Sequence, residues 1–294
     1  MRALMKKRKG HTMRYQITSD STCDLSPEQL ERYNIRLLPL YVSMDGRTLR
    51  DGVDVKPDDI YAHVSAGGSL PQTAAVNLAD YVCVFTELSA KNDFVIHICI
   101  SLDFSCCYQN AKLAAADFDN VYVVDSRNLS TGHGLVVLEA ERMAREGMAP
   151  DDIVAALHDL AGRVEASFIL DRLDYMKKGG RCSAVTLLGA NLLKLRPCIE
   201  VKDGKMGVGK KYRGSFEKCA SEYIRDRLRD DDTVDLHRIF LTWSGCDREL
   251  IDSLKEEIKS YHNFEEVLDT EAGSTISGHC GPGCLGILYI HKEK

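Results

Sequence analysis

Two arginines that flank an apolar segment are the residues of this chain best suited to bind an anion. Arg181 directly follows Gly179 and Gly180, whose missing side chains let the backbone come close to a neighbouring group. Its guanidinium offers a planar fork of donors that matches a carboxylate or a phosphate. Arg213 follows a predicted hairpin at a second edge. The segment from Leu173 to Gly214 therefore predicts the frame of a pocket that ends in an anion site.

Three other segments contain hydroxyl or imidazole groups that could bind an anion. Thr73 lies in SLPQTAAVN, a predicted loop before the helix N-cap Asn77, and the positive end of a helix favours a carboxylate. Ser101 lies in ISLDFSCCYQNA, which runs from a buried strand into a helix that begins near Ser105. His279 lies in SGHCGPGC, which we interpret as a glycine-rich loop, and it could donate a hydrogen bond to a carboxylate.

Each of these residues also has a simpler interpretation. Thr73 and Ser105 could be turn or cap residues only, because Thr and Ser side chains often bond to nearby backbone groups. His279 with Cys280 and Cys284 could instead bind a metal, but this cluster has no second ligand pair at zinc spacing. A Cys280 nucleophile activated by His279 is disfavoured, since adjacent side chains rarely face each other.

Absent motifs narrow the function further. The sequence has no GxxxxGK[ST] loop, no GxGxxG after the first strand and no GxSxG elbow. It offers donors for an anion but no evident catalytic group. The basic residues could also form one patch for a phosphate-bearing ligand or an acidic partner, made of Lys177, Lys178, Lys210, Lys211 and Arg213.

The elements that position these residues are predicted to form an α/β fold. Predicted strands alternate with helices in the first half of the chain, at Arg14–Thr18, Ile35–Ser43, Phe94–Ile100 and Val121–Val124. Pro39 breaks the second of these strands, and Asp45-Gly46 turns it back in a predicted hairpin. Ser26 and Gln29 predict a capping box at the start of the first helix. Such alternation predicts a parallel sheet with right-handed crossovers. Ligands bind beyond the carboxyl ends of the strands in such sheets, and SDST, ISLDFS and DSRNLSTGHG all fall there.

The pattern changes after the boundary at Gly147–Pro150. A hairpin at Cys198–Lys210 turns at Asp203-Gly204, which predicts some antiparallel sheet in the second half. We therefore expect an N-terminal domain at 14–148 and a C-terminal α/β domain at 149–294, with the ligand between them. Residues 1–13 are expected to be a basic disordered tail.

Composition excludes some classes of protein. The net charge of −6 over 294 residues gives no overall positive potential that would attract nucleic acid. The 11 cysteines are odd in number, follow no framework spacing and accompany no secretion signal, so reduced thiols in a cytoplasm are expected. No run approaches the roughly 20 apolar residues of a membrane span.

From about Tyr15 to His291 the chain resembles the DegV family of bacterial fatty-acid-binding proteins. The matching segments, in order, are SDSTCDL, the loop around PQTA, ISLDFSCCYQNA, VVDSRNLSTGHG, LDYMKKGGR, LRPCIEVKDGK with the later RG, and HCGPGCLGI. The resemblance implies an N-terminal parallel-sheet domain and a C-terminal domain with a mixed or antiparallel sheet. One long-chain fatty acid is then expected in a tunnel between them.

The resemblance also implies roles for individual residues. Thr73, Ser101, Arg181 and His279 are implied to hold the fatty-acid carboxylate, and Arg213 to dock a partner kinase. The chain would then be a lipid-binding subunit and no enzyme, with no cofactor or metal. A separate fatty acid kinase would phosphorylate the bound acid. The acyl-phosphate would pass, at a transient membrane surface, to an acyltransferase for phospholipid synthesis.

One segment departs from the family pattern, which commonly has SS and then SGT in the strand-to-helix loop. Here the corresponding positions are Ser101-Leu102 and Ser105-Cys106-Cys107, so one hydroxyl of the expected head-group site is missing. Two alternatives remain. A stand-alone enzyme could act on a small carboxylated or phosphorylated metabolite, with His279 as acid or base. A metal-dependent regulator would use His279, Cys280 and Cys284.

Overall fold

The computed structural model describes residues 13–186 and 195–293, and these residues form a mixed α/β fold with three sheets. Most of the predicted tail at 1–13 lies outside the described residues. The strands are β1 (Tyr15–Asp20), β2 (Ile35–Leu38), β3 (Tyr41–Met44), β4 (Arg47–Arg50), β5 (Gln72–Ala74), β6 (Phe94–Cys99), β7 (Val121–Asp125), β8 (Val164–Leu170), β9 (Leu195–Lys202), β10 (Lys205–Arg213), β11 (Val234–Ser244), β12 (Glu266–Glu271) and β13 (Cys284–His291).

The helices connect these strands and cover the sheets. They are α1 (Pro27–Arg32), α2 (Pro57–Ser65), α3 (Leu78–Ser89), α4 (Cys107–Ala115), α5 (Ser130–Arg145), α6 (Pro150–Ala161), α7 (Asp174–Gly179), α8 (Ser183–Thr186), α9 (Phe216–Leu228), α10 (Arg248–Tyr261) and α11 (Ser274–Cys280). A 3-10 turn covers Ser21–Cys23. Among the described residues, no helix combines the length and the apolar character needed to cross a bilayer.

The first sheet is four-stranded and parallel, with strand order β2-β1-β6-β7, which confirms the predicted parallel sheet. Every residue of β6 is buried, as expected for a strand that is covered on both faces. The segment Ile35–Ser43, predicted as a strand broken by Pro39, forms the two separate strands β2 and β3. The chain divides near Pro39, so that β2 joins the first sheet and β3 joins a different one. Proline lacks the N–H that a continuous ladder would need.

The second sheet is six-stranded and mixed, with order β10-β9-β8-β13-β11-β12. The pair β11 and β12 is parallel, and the other neighbours are antiparallel. The predicted hairpin turn at Asp203 and Gly204 is confirmed, since φ is 51° and 79° at these residues. The protein therefore combines a parallel-sheet domain with a mixed-sheet α/β domain.

A small sheet of order β4-β3-β5 lies in the first half of the chain, between β2 and β6 in the sequence. Its hairpin turns at Asp45 and Gly46, as predicted. Its third strand, β5, was not predicted, and it carries Thr73 opposite Val42 of β3. The small sheet thus fixes Thr73 on a regular strand, where the sequence had indicated a loop.

The two large sheets meet where the carboxyl ends of β1 and β6 face the second half of the chain. The Ser101 hydroxyl donates to the Gly204 carbonyl at 2.9 Å, and Arg127 pairs with Asp203 at 2.6 Å. Helix α5 packs against β1 and β6 of the first sheet and against β13 of the second. The limit at 148/149 falls between α5 and α6 and stays a prediction.

Candidate functional site

The best candidate site is a cavity at the junction of the two parts, with about 550 Å³ of empty space including its mouth. Its lining is mostly apolar and comes from both halves of the chain. A mainly apolar pocket with a few convergent polar groups is typical of small-molecule sites. The lining residues are Leu40, Thr73, Ala74, Ala75, Ile100, Phe104, Ser105, Leu129, Phe168, Met176, Arg181, Met206, Thr275, Ile276, His279 and Cys280.

Thr73 and His279 meet at the wall of this cavity. The distance between Thr73 Oγ1 and His279 Nε2 is 2.9 Å, although the two residues are 206 positions apart in the sequence. The interpretation of the His279 segment as a loop was wrong, because His279 lies in α11. Gly278 is inside this helix, whereas Gly281 and Gly283 follow it with φ of 76° and 73°. These two glycines end the helix and turn the chain into β13.

The imidazole of His279 is neutral at physiological pH. Burial, followed by the positive charge of Arg181, lowers the pKa of His279 to about 4. Nδ1 is buried and has no hydrogen-bond partner among the described residues. A neutral imidazole carries one N–H, so His279 can donate to Thr73 through Nε2 or accept from it, but not both.

Two glycines at the end of α7 have different roles, and Gly179 allows the close approach of a neighbouring group that the sequence predicted. A Cβ atom at Gly179 would lie 2.3 Å from His279 Nδ1, closer than real Cβ contacts. Gly180 follows as the C-cap with φ of 71°, a left-handed conformation that favours glycine. Gly179 therefore makes room for the His279 ring, and Gly180 ends the helix.

Arg181 is the one charged residue among the described residues that line the cavity. Its side chain is exposed, and Nη1 donates to the Gly179 carbonyl at 2.8 Å. A guanidinium held at the mouth of an apolar cavity can offset the charge of an incoming carboxylate or phosphate. Arg181, Thr73 and His279 are thus brought together, as the sequence analysis expected of a shared site.

Thr275 is a polar lining residue that the sequence analysis missed. It is 4% exposed, and its hydroxyl has no partner among the described residues. It lies four positions before His279 in α11, and residues at this spacing share one face of a helix. The spacing in STISGHC would have indicated Thr275, but only if the segment had been predicted as a helix.

The two candidate serines of the strand-to-helix loop are separated by the structure. Ser101 is not among the described residues that line the cavity, and its hydroxyl donates to the Gly204 carbonyl. Ser105 does line it, and its Oγ accepts from the Cys107 backbone N–H at 3.3 Å. Leu102, at the position where the resemblance implies a serine, is 42% exposed. A role for Ser101 in binding the carboxylate stays a prediction. Of the two serines, Ser105 is the one that lines the cavity.

Arg213 occupies a different surface. It is the last residue of β10, opposite Leu195 of β9, and its side chain is exposed. Among the described residues, it is not part of the cavity lining. Of the other basic residues proposed for a patch, Lys210 pairs with Asp226.

A possible metal centre occurs elsewhere in the described residues. Ligand atoms of Asp20, His97 and Cys99, all buried, lie within 4.8 Å of one another. The Asp20 oxygens already accept hydrogen bonds from the Tyr81 hydroxyl at 2.9 Å and the Ile100 N–H at 2.7 Å. The three residues therefore form part of a hydrogen-bonded core. No such group arises from His279, Cys280 and Cys284 within the described chain.

Comparison with known proteins places this geometry in a family. The family model described as "Uncharacterised protein, DegV family" matches residues 14–292. A protein of Thermotoga maritima named "Fatty acid-binding protein" is 30% identical over 284 residues, which cover 93% of this chain and 96% of that protein.

Two solved structures share the whole fold. One, described as "Fatty Acid Binding of a DegV family Protein from Thermus thermophilus", has a TM-score of 0.86 and 30% identity, covering 95% of this chain and 100% of that chain. A stearic acid-binding protein from Eubacterium ventriosum has a TM-score of 0.83 and 27% identity, covering 95% and 98%. Since the family model matches nearly the whole chain, this protein belongs to the DegV family.

Proposed function

We propose that this protein binds one long-chain fatty acid in the cavity, with the carboxylate at Thr73, His279 and Arg181. The observation that carries the proposal is the composition of the cavity wall. A mainly apolar lining includes one hydroxyl–imidazole pair, one guanidinium and the hydroxyls of Ser105 and Thr275. This distribution matches an amphiphile with a single anionic end. Relatives that bind fatty acids share the fold along its whole length and support the assignment.

The head-group contacts follow from the position of the His279 ring. Nδ1 of His279 lies against Gly179, where no ligand atom fits. The ring can therefore form a hydrogen bond only through Nε2. An Nε2–H donates to Thr73 Oγ1, and the Thr73 hydroxyl proton is then free to donate to the carboxylate. The charge of Arg181 offsets the loss of hydration of the anion. Ser105 and Thr275 can add further donors, and Ser101 stays a candidate.

The acyl chain supplies most of the affinity. Each buried methylene contributes about 0.8 kcal/mol, so a long chain gains on the order of 10 kcal/mol before the cost of ordering it. Apolar side chains on both sides of the junction provide this surface, among them Phe104, Leu129, Phe168 and Ile276. The head-group contacts then fix the orientation of the ligand.

The finer role is that of a carrier for a separate kinase. In this role a cytoplasmic fatty acid kinase transfers the γ-phosphoryl group of ATP to the bound carboxylate and yields an acyl-phosphate and ADP. The exposed Arg213 at the end of β10 is the proposed docking residue for the kinase. The acyl-phosphate then passes at a membrane surface to an acyltransferase for phospholipid synthesis. This chain supplies no catalytic group, cofactor or metal to that sequence.

The first test is to identify what the protein carries. We expect the protein purified from a bacterial host to release nearly one equivalent of fatty acid when it is denatured, measured by mass spectrometry. Delipidated protein should bind radiolabelled stearate at one site. A folded protein that carries no fatty acid and binds no stearate would overturn the proposal. Steady turnover of a small carboxylated or phosphorylated metabolite by the isolated chain would favour an enzyme instead.

A further inference from the structure

Two aspartates from the first half of the chain hold the beginning of the helix that carries His279. We propose that Asp24 and Asp51 are positioning residues, which set the place of α11 and so bring the His279 imidazole to Thr73. This inference deepens the proposed fatty-acid site and rests on it. It concerns neither a contact to the ligand nor a catalytic role.

Asp51 makes the more direct contact with the helix. Its Oδ1 accepts the backbone N–H of Ser274, the first residue of α11, at 2.8 Å. Its Oδ2 accepts from the Ser21 hydroxyl at 2.8 Å, which anchors the carboxylate to the loop after β1. The side chain is 3% exposed. Water therefore has little access to compete for the first amide of α11.

Asp24 holds the residue before the helix. Its Oδ1 accepts the N–H of Gly273, the N-cap of α11, at 2.9 Å. Its Oδ2 lies 2.5 Å from the hydroxyl oxygen of Ser130 in α5. The Asp24 carbonyl accepts from the Thr270 hydroxyl at 3.0 Å, so the same residue also binds the end of β12. Asp24 thus ties the segment before α11 to the first sheet and to α5.

The remaining contacts of α11 extend this attachment along the helix. The Ser274 hydroxyl donates to the Val55 carbonyl at 2.8 Å. One turn later the partners change, since the Ser277 hydroxyl donates to the Ala272 carbonyl at 2.9 Å and lies 2.8 Å from Ser244 Oγ, both in the second half of the chain. The first turn of α11 is therefore bound to the first half of the chain, although α11 itself follows β12 of the second sheet.

The length of α11 explains why its first turn controls His279. Seven residues at about 1.5 Å per residue make a rod of roughly 10 Å. A tilt at Gly273 and Ser274 is carried to His279 in the last turn. The contact between His279 and Thr73 is 2.9 Å, and a hydrogen bond is lost beyond about 3.5 Å. A displacement of less than 1 Å at the far end therefore separates the pair.

The chemical state of the Asp24 carboxyl group suits this role. Burial raises the pKa of Asp24 to about 8, and the negative charge of Asp51 acts in the same direction. A protonated Asp24 can donate to Ser130 while it still accepts from Gly273. Asparagine at position 24 would preserve both contacts, and asparagine at position 51 would preserve acceptance from Ser274.

The experiment compares alanine and asparagine at each position. We expect Asp51→Ala and Asp24→Ala to weaken stearate binding about tenfold, with Asp24→Asn and Asp51→Asn within about threefold of wild type. Asp54→Asn is the matched control, since Asp54 lies in the same loop but accepts only from Arg50 among the described residues. Equal losses in the alanine and asparagine variants, or a similar loss in the control, would contradict the proposal.

A second arm separates positioning from general damage. In a His279→Ala background, Asp51→Ala should weaken stearate binding by no more than about twofold, because the residue it positions is already absent. A full additional tenfold loss would show that Asp51 acts through something other than His279. If Asp51→Ala does not fold, Asp51→Glu replaces it, and its longer side chain should cause an intermediate loss.

A third arm does not depend on fatty-acid binding. Hydrogen exchange of the backbone amides in 274–280 should be faster in Asp51→Ala than in wild type, with no change in the Asp54→Asn control. Unchanged exchange there would overturn the positioning role even if stearate binds. If exchange is faster in Asp51→Ala but the wild-type protein binds no stearate, the positioning role of Asp51 stands and the proposed function is refuted.

Discussion

The imidazole of His279 occupies the space that a side chain at Gly179 would need. A Cβ atom at Gly179 would lie 2.3 Å from Nδ1 of that ring. The glycine of α7 and the histidine of α11 are thus matched in shape, and the Thr73 contact depends on the match because the ring cannot move toward α7.

Gly179→Ala should displace His279 and weaken fatty-acid binding. We expect stearate affinity to fall about tenfold, equivalent to about 1.4 kcal/mol, as the Thr73 hydrogen bond is lost. Gly180→Ala is the control, since its added Cβ would meet no described atom within 4 Å beyond its chain neighbours, and only the left-handed φ of 71° is strained. That variant should lose about 1 kcal/mol of stability with stearate affinity preserved. Equal binding losses in both variants would show that backbone strain matters more than the ring.

Thr275→Val should change stability and binding in opposite directions. The hydroxyl of Thr275 is buried without a partner in the described part of the chain, so its removal should stabilise the ligand-free protein by about 1 kcal/mol in urea unfolding. If the hydroxyl is a donor to the bound carboxylate, stearate affinity should fall in the same variant. A stabilised protein with unchanged affinity would show that Thr275 does not contact the ligand.

The depressed pKa of His279 predicts an acid-labile fold. The folded-state pKa of about 4 lies below the ordinary value of 6.5, so the unfolded chain binds a proton first as pH falls. His279 stabilises the fold fully above pH 6.5, and this contribution is lost between pH 6.5 and 4. At pH 5 the loss amounts to about 2 kcal/mol.

The measurement is urea unfolding of delipidated protein at pH 7 and pH 5, with His279→Gln as the comparison. The variant should show a smaller fall in unfolding free energy by about 2 kcal/mol. His133, whose pKa burial also lowers to about 4, remains in both proteins and cancels. An identical fall in both proteins would mean that His279 titrates normally.

The two arginines should give separate phenotypes. Arg181→Met keeps the bulk of the side chain but removes the charge at the cavity, so stearate binding should weaken about threefold and lose much of its salt dependence. Arg213→Met should leave stearate binding intact and weaken phosphorylation of the bound acid by the partner kinase. Loss of stearate binding in the Arg213 variant would contradict this division of roles.

The serines of the strand-to-helix loop can be distinguished in the same way. Ser101→Ala leaves the Gly204 carbonyl without its donor, so the protein should lose about 1 to 3 kcal/mol of stability. Ser105→Ala removes a hydroxyl from the cavity wall and should lower stearate affinity more than Ser101→Ala does. If Ser101→Ala lowers stearate affinity more than Ser105→Ala does, Ser101 is the serine that binds the carboxylate.

Features set by neighbouring residues could be predicted from the sequence. The capping box at Ser26 and Gln29 is present, with hydrogen bonds of 2.8 and 3.3 Å. Asn77 caps α3, and Asp203-Gly204 turns the hairpin. Each depends on contacts within a few residues, so residue type alone was sufficient.

The assembly of the site could not be predicted in this way. Thr73 lies on β5 because that strand pairs with β3 some thirty residues earlier, and three residues carry too weak a pattern to show a strand. His279 lies on a helix whose first amides donate to Asp24 and Asp51, more than 200 positions away. A glycine-rich segment by itself favours a loop.

The sequence by itself determined the residue types that an anion site needs, the glycines that permit close approach and the alternation that builds a parallel sheet. Only the tertiary structure decided that Thr73, Arg181 and His279 share one cavity, that Thr275 joins them and that Ser101 bonds to Gly204. The physical reason is the separation along the chain between the residues that come into contact. Caps and turns are satisfied locally, whereas these contacts join residues that are distant in the chain and become neighbours only when the two halves pack together.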